Sequence, residues 1–104
     1  MQGYLITFFT QQGRRHEGKP LCEWLLSLAK ELDLPGATQM AAVQGFGHGG
    51  ALHSAHFFDL ADQPEQLIVV VSESQSRSLL ERIAAEGEKI FYVKAAVEYG
   101  LVGD

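Results

Sequence analysis

Residues 13–20 read Gly-Arg-Arg-His-Glu-Gly-Lys-Pro and gather Arg14, Arg15, His16 and Lys19 in one short polar stretch. Cations at this density in front of a helix can hold an anion, because the first N–H groups of the helix point outward and carry partial positive charge. The octet comes within one letter of a phosphate-binding P-loop, yet that motif needs Ser or Thr for magnesium where Pro20 stands. A P-loop hydrolase also needs a second acidic metal ligand and a larger parallel sheet. The stretch is therefore a candidate anion site, and a solvated basic loop is its alternative.

A second cluster follows the middle of the chain. Gly45, Gly47 and Gly50 have the spacing of a dinucleotide fingerprint, but the residues after them favour extended backbone over the helix that would meet a pyrophosphate. The fingerprint reading is rejected. The glycines still let backbone N–H groups approach a ligand, or they form the tip of a hairpin. His48, His53 and His56 lie nearby. On a strand His53 and His56 point to opposite faces, so one chain offers them no common metal, although a threefold axis could gather copies of one histidine. No metal ligand is assigned. Cys22, near the start of the first helix, has no recognisable base, and no Ser/His/Asp or paired-carboxylate arrangement stands out. An enzyme is not expected.

The elements that must position these residues are legible from periodicity. Residues 3–10 are aromatic and β-branched on both alternating faces, as in a strand covered on both sides. Pro20 suits the first turn of a helix. Leu21, Trp24, Leu25, Leu28 and Leu32 then make one apolar stripe, which Asp33-Leu34-Pro35-Gly36 ends. Residues 37–44 read as a second strand, and 53–60 as its hairpin partner across the glycines. Asp62-Gln63-Pro64-Glu65 breaks the chain before the apolar run 67–71, a central strand. Ser72 and Gln75 form a capping box for a second helix with Leu79, Leu80, Ile83 and Ala84 on its apolar face. Gly87 closes that helix, and residues 90–97 return to β-type composition. Strand, helix, strand, strand, helix, strand predicts a ferredoxin-like (split βαβ) α+β sandwich, an antiparallel sheet with two helices on one face. The other face then needs a cover, which neighbouring subunits can supply.

Composition bounds the function. The 104 residues are 46% hydrophobic and 20% charged, consistent with one folded domain, 1–104. A net charge of -5 disfavours nucleic-acid binding. No apolar run is long enough to span a bilayer, so no membrane insertion is expected. The single cysteine fits a reducing compartment, and the cytoplasm is the expected location.

The blocks Gly36-Ala37-Thr38, Val43-Gln44-Gly45-Phe46-Gly47, the run 67–71 and Gly87-Glu88-Lys89-Ile90-Phe91 resemble the PII signal-transduction superfamily. With His16-Glu17-Gly18-Lys19-Pro20-Leu21 added, the chain is similar to the PII-like family known as domain of unknown function 190, over about residues 3–99. The resemblance implies a homotrimeric regulator, not a catalyst. In the superfamily a mobile T-loop follows the second strand, and an adenine nucleotide lies between its base and a glycine-rich B-loop of the adjacent subunit. It thereby implies ligand contacts at Thr38, Gly45, Phe46, Gly47 and His48 on the T-loop side and at Gly87 and Lys89 on the B-loop side. The implied protein target is read through the loop, with a membrane transporter as one candidate. Glu88 and the arginine-free final strand depart from the superfamily pattern, which points to a smaller or less charged nucleotide or another metabolite. The alternatives are a metal-binding trimer using the loop histidines and a structural trimer without ligand.

Overall fold

The computed structural model describes residues 1–41, 44–46, 52–54 and 63–103. Along them run β1 (Gln2–Gln11), β2 (Arg15–His16), β3 (Lys19–Pro20), α1 (Leu21–Glu31), β4 (Gly36–Ala41), β5 (Gln44–Phe46), β6 (Leu52–Ser54), β7 (Pro64–Val71), α2 (Glu73–Ala85) and β8 (Phe91–Glu98). The four long strands form one antiparallel sheet in the order β4-β7-β1-β8. The two strands joined by α1 are thus split by β7, which is the ferredoxin-like topology expected from the sequence.

Side chains alternate across a strand, so the register divides the sheet into two faces. Ile6 lies opposite Val69, and Phe8 opposite Leu67. These four side chains meet Leu21, Leu25 and Leu28 of α1 and Leu79 and Ile83 of α2 in the buried core. The other face carries Leu5, Phe9 and Ile68, flanked by Met40, Phe91 and Val93. Met40 is 49% exposed, Phe91 63% and Val93 49%. The Phe9 and Phe91 rings lie 5.6 Å apart. Both described helices lie on the first face, and among the described residues Met40, Phe91 and Val93 leave the apolar second face exposed. The central apolar run accordingly alternates between buried and half-buried positions; it is fully covered only if something packs on that open face.

Local chemistry explains the start of α2 and the end of α1. In α2 the Ser72 hydroxyl accepts from the Gln75 N–H at 3.2 Å, and the Ser72 N–H donates to Gln75 Oε1 at 2.9 Å, completing the expected capping box. At the end of α1, Asp33 adopts φ 56°. There the Leu34 N–H donates to Ala29 O and the Asp33 N–H to Lys30 O, both at 3.0 Å, before Pro35 prevents continuation.

Several boundaries differ from the sequence reading. Pro20 belongs to β3 and stands at the N-cap position of α1 without entering it. The polar stretch 11–19 contains most of a small hairpin, formed by β2 and β3. The expected second strand is two strands: β4 pairs with β7, whereas β5 pairs with β6 as the hairpin across the glycines. Residues 55–60 of its expected partner lie outside the described residues. Pro64 and Glu65 do not break the chain but open β7; a strand's first residue tolerates proline.

Candidate functional site

The β2–β3 hairpin turns through Glu17 (φ 51°) and Gly18 (φ 80°). Two successive left-handed residues make the two-residue turn that matches strand twist. Arg15 Nη1 donates to the Gly18 carbonyl at 2.9 Å, and the Leu21 N–H donates to Arg14 O at 2.8 Å, tying the hairpin to the start of α1. Alternation along this hairpin turns His16 inward. The imidazole is buried against Trp24, with ring centroids 4.1 Å apart.

The opposing wall is the turn after α2. The Gly87 N–H donates to Ala84 O at 3.0 Å and the Glu88 N–H to Ile83 O at 3.4 Å, with Gly87 at φ 78°. This closure requires a left-handed residue at position 87, which glycine adopts without a Cβ clash. It brings Glu86 and Glu88 to the hairpin. Glu88 Oε2 lies 2.7 Å from His16 Nδ1, and Glu88 Oε1 lies 3.3 Å from Arg14 Nη2. Arg14 also donates to the Lys89 carbonyl. On the far side of the ring, Nε2 faces Glu86 Oε1 at 3.5 Å and Glu17 Oε1 at 3.9 Å. The Glu88 hydrogen bond raises the His16 pKa above its ordinary 6.5; burial opposes the rise, and Glu86 and Glu17 reinforce it.

The four cations grouped by the sequence thus separate. Arg14 and His16 face carboxylates, whereas Arg15 and Lys19 are exposed; the Lys19 ammonium donates to Ser27 Oγ at 3.2 Å. Glu17, Trp24, Glu86 and the tethering role of Glu88 were not found by sequence reasoning, since His16 and Glu88 stand 72 positions apart and no local spacing links them.

Of the remaining sequence candidates, Thr38 and the Gly87–Lys89 turn lie at opposite edges of the four-stranded sheet. Thr38 is on edge strand β4, opposite Ile68. Gly45 and Phe46 lie in β5, opposite His53 and Leu52. Gly47, His48 and His56 fall outside the described residues. Gly87 and Lys89 lead into β8 on the opposite edge, with β7 and β1 between. Three strand spacings amount to about 14 Å, so one chain does not gather the two groups at one edge.

Cys22 sits in the core beside Glu65, whose Oε1 accepts from Gln39 Nε2 at 3.2 Å. Burial, and then the neighbouring carboxylate, push the thiol up to about 12 from an ordinary 9.0. This is the reverse of nucleophile activation. Native protein at pH 8 is expected to resist Ellman's reagent for hours, while the denatured chain reacts at once; rapid colour from the native protein would contradict this environment.

Comparison with known proteins follows the same lines. The family model DUF190, described as an uncharacterized ACR, matches residues 3–98. A UPF0166 protein of Aquifex aeolicus (strain VF5) is 31% identical over 80 residues, 76% of each chain. Among solved structures, the PII-like protein CPII from Thiomonas intermedia K12, bound to ADP, AMP and bicarbonate, is similar with a TM-score of 0.71 at 18% identity, covering 97% of this chain and 91% of that one. A putative PII-like signaling protein from Thermus thermophilus has a TM-score of 0.69 at 21% identity, covering 92% and 87%. The fold is PII-like.

Proposed function

Because the chain belongs to the DUF190 family, we propose that it is a PII-like signalling protein: a homotrimer that binds a small effector between subunits and acts on a protein target. Its role is regulatory and not catalytic, and it works in the cytoplasm. The observation that carries this reading is the separation of Thr38 from Gly87 and Lys89 by the width of the sheet. A ligand that touches both groups lies between the β4 edge of one copy and the β8 edge of the next. The open apolar face supports the same assembly, because burying it against other copies removes large side chains from water.

An adenine nucleotide is the leading effector, in line with CPII, which is bound to ADP and AMP. In this site Gly45, Phe46, Gly47 and His48 supply the T-loop wall and its backbone N–H groups. Gly87 and the Lys89 ammonium receive phosphate, and Arg15 and Lys19 extend the basic rim. Arg14 and His16 hold the turn in place. Ligand contact selects the loop conformation that a target, a membrane transporter among the candidates, would read.

Native mass spectrometry with added ADP or AMP tests the assembly and the stoichiometry, and calorimetry tests the site. A trimer with up to one nucleotide per chain is expected. Lys89→Glu should weaken binding by roughly ten- to a hundredfold, the equivalent of one lost charge-assisted hydrogen bond. A monomer, or a trimer whose nucleotide affinity is indifferent to Lys89→Glu, would refute the intersubunit site.

A further inference from the structure

The carboxylates around His16 have a geometry that the effector reading does not use. His16 is 6% exposed, and its Nε2 atom is buried without a hydrogen-bond partner. Buried polar atoms are nearly always satisfied, so such an orphan calls for a partner, whether an ordered water or an ion. It faces Glu86 and Glu17, and the nearest donor atoms of the three residues lie within 4.8 Å of one another. The opposite ring nitrogen is bonded to Glu88, whose other oxygen is held by Arg14. With Nδ1–H donated to Glu88, a neutral imidazole turns its Nε2 lone pair toward two carboxylates, an arrangement that either a proton on Nε2 or a cation between them relieves. A carboxylate behind a histidine is also the usual device that orients an imidazole toward a metal.

We propose that His16, Glu17 and Glu86 bind a divalent transition-metal ion, with Glu88 as the positioning residue for the imidazole. One nitrogen and two carboxylate oxygens are donors suited to zinc, and three protein ligands leave a coordination position for water or an exogenous ligand. Charge agrees: Glu17, Glu86 and Glu88 outnumber the single guanidinium of Arg14, so a dication neutralises the excess. Exposed Glu17 lies on a two-residue turn and Glu86 at a helix end, where side chains can close on the ion without moving the core. All ligands come from one chain, so the site does not depend on the trimer or on the nucleotide cleft. Bound metal would clamp the hairpin to the turn that carries Gly87 and Lys89.

Trp24 is the one tryptophan of the chain and packs against the His16 ring at 4.1 Å between centroids, which makes it the reporter. Full-length protein stripped with EDTA is titrated with Co²⁺ and then Zn²⁺, following tryptophan emission and the visible cobalt bands. Expected are one ion per chain, quenching by Co²⁺, and recovery when Zn²⁺ displaces it. Glu86→Gln and Glu17→Gln should each weaken Zn²⁺ binding at least tenfold with unchanged circular dichroism, and His16→Gln should abolish it. A variant with His48, His53 and His56 all changed to Gln should bind as the parent does. The proposal is overturned by absent quenching, by affinity unchanged in both glutamine variants, or by binding lost in the loop-histidine variant.

Discussion

Val93→Glu combined with Phe91→Glu is expected to convert the proposed trimer into folded monomers. Both side chains are exposed on the open sheet face of the single chain, with Val93 opposite Thr7 and Phe91 opposite Phe9. In a monomer the new carboxylates stay in water and cost little. Between subunits they would be desolvated and would face an apolar surface, at a cost of roughly 3–5 kcal/mol for each unpaired buried charge. Size-exclusion chromatography with light scattering reads the mass, and circular dichroism checks the fold. Monomers with native secondary structure support assembly through this face. An intact trimer would place the subunit contact elsewhere.

Phe8→Ala should instead unfold the chain at much lower denaturant. Phe8 is 1% exposed, and its ring lies 6.2 Å from that of Tyr92. Removing such a buried ring costs about 3–5 kcal/mol, a large part of the roughly 5–15 kcal/mol that holds a small domain folded. Phe9→Ala, one position along, removes the same group from the opposite face. Measured by urea unfolding in the monomeric double-glutamate background, Phe8→Ala should lose several times more stability than Phe9→Ala. Equal losses would mean that the two faces are not distinguished as the register requires.

Those neighbouring phenylalanines show how far sequence reading reached. Alternation in β1 made both faces apolar, and the structure places apolar side chains on the face away from the two helices. The stripe in α1, the Ser72–Gln75 box and the glycine after α2 were equally readable, because each depends on residues within one or two turns. The element order then led to the split βαβ topology. The small hairpin at Glu17 and Gly18 was missed: a two-residue β-ladder has no periodicity, and a cationic stretch before a proline looks like loop.

Local spacing therefore determined the long strands and helices of this protein and their order, since helix stripes, strand alternation and caps are set by contacts a few residues apart, while particular residue blocks carried its family resemblance. Tertiary structure alone decided that His16 turns inward to meet Glu86 and Glu88, and that Cys22 is silenced beside Glu65. It also set Thr38 and Lys89 on opposite sides of the sheet's width. The physical reason is that charge and hydrogen bonding act through a few ångströms of space, whatever the distance along the chain. Only the packing of α2 and its terminal turn against the sheet and hairpin brings side chains 72 positions apart within 2.7 Å.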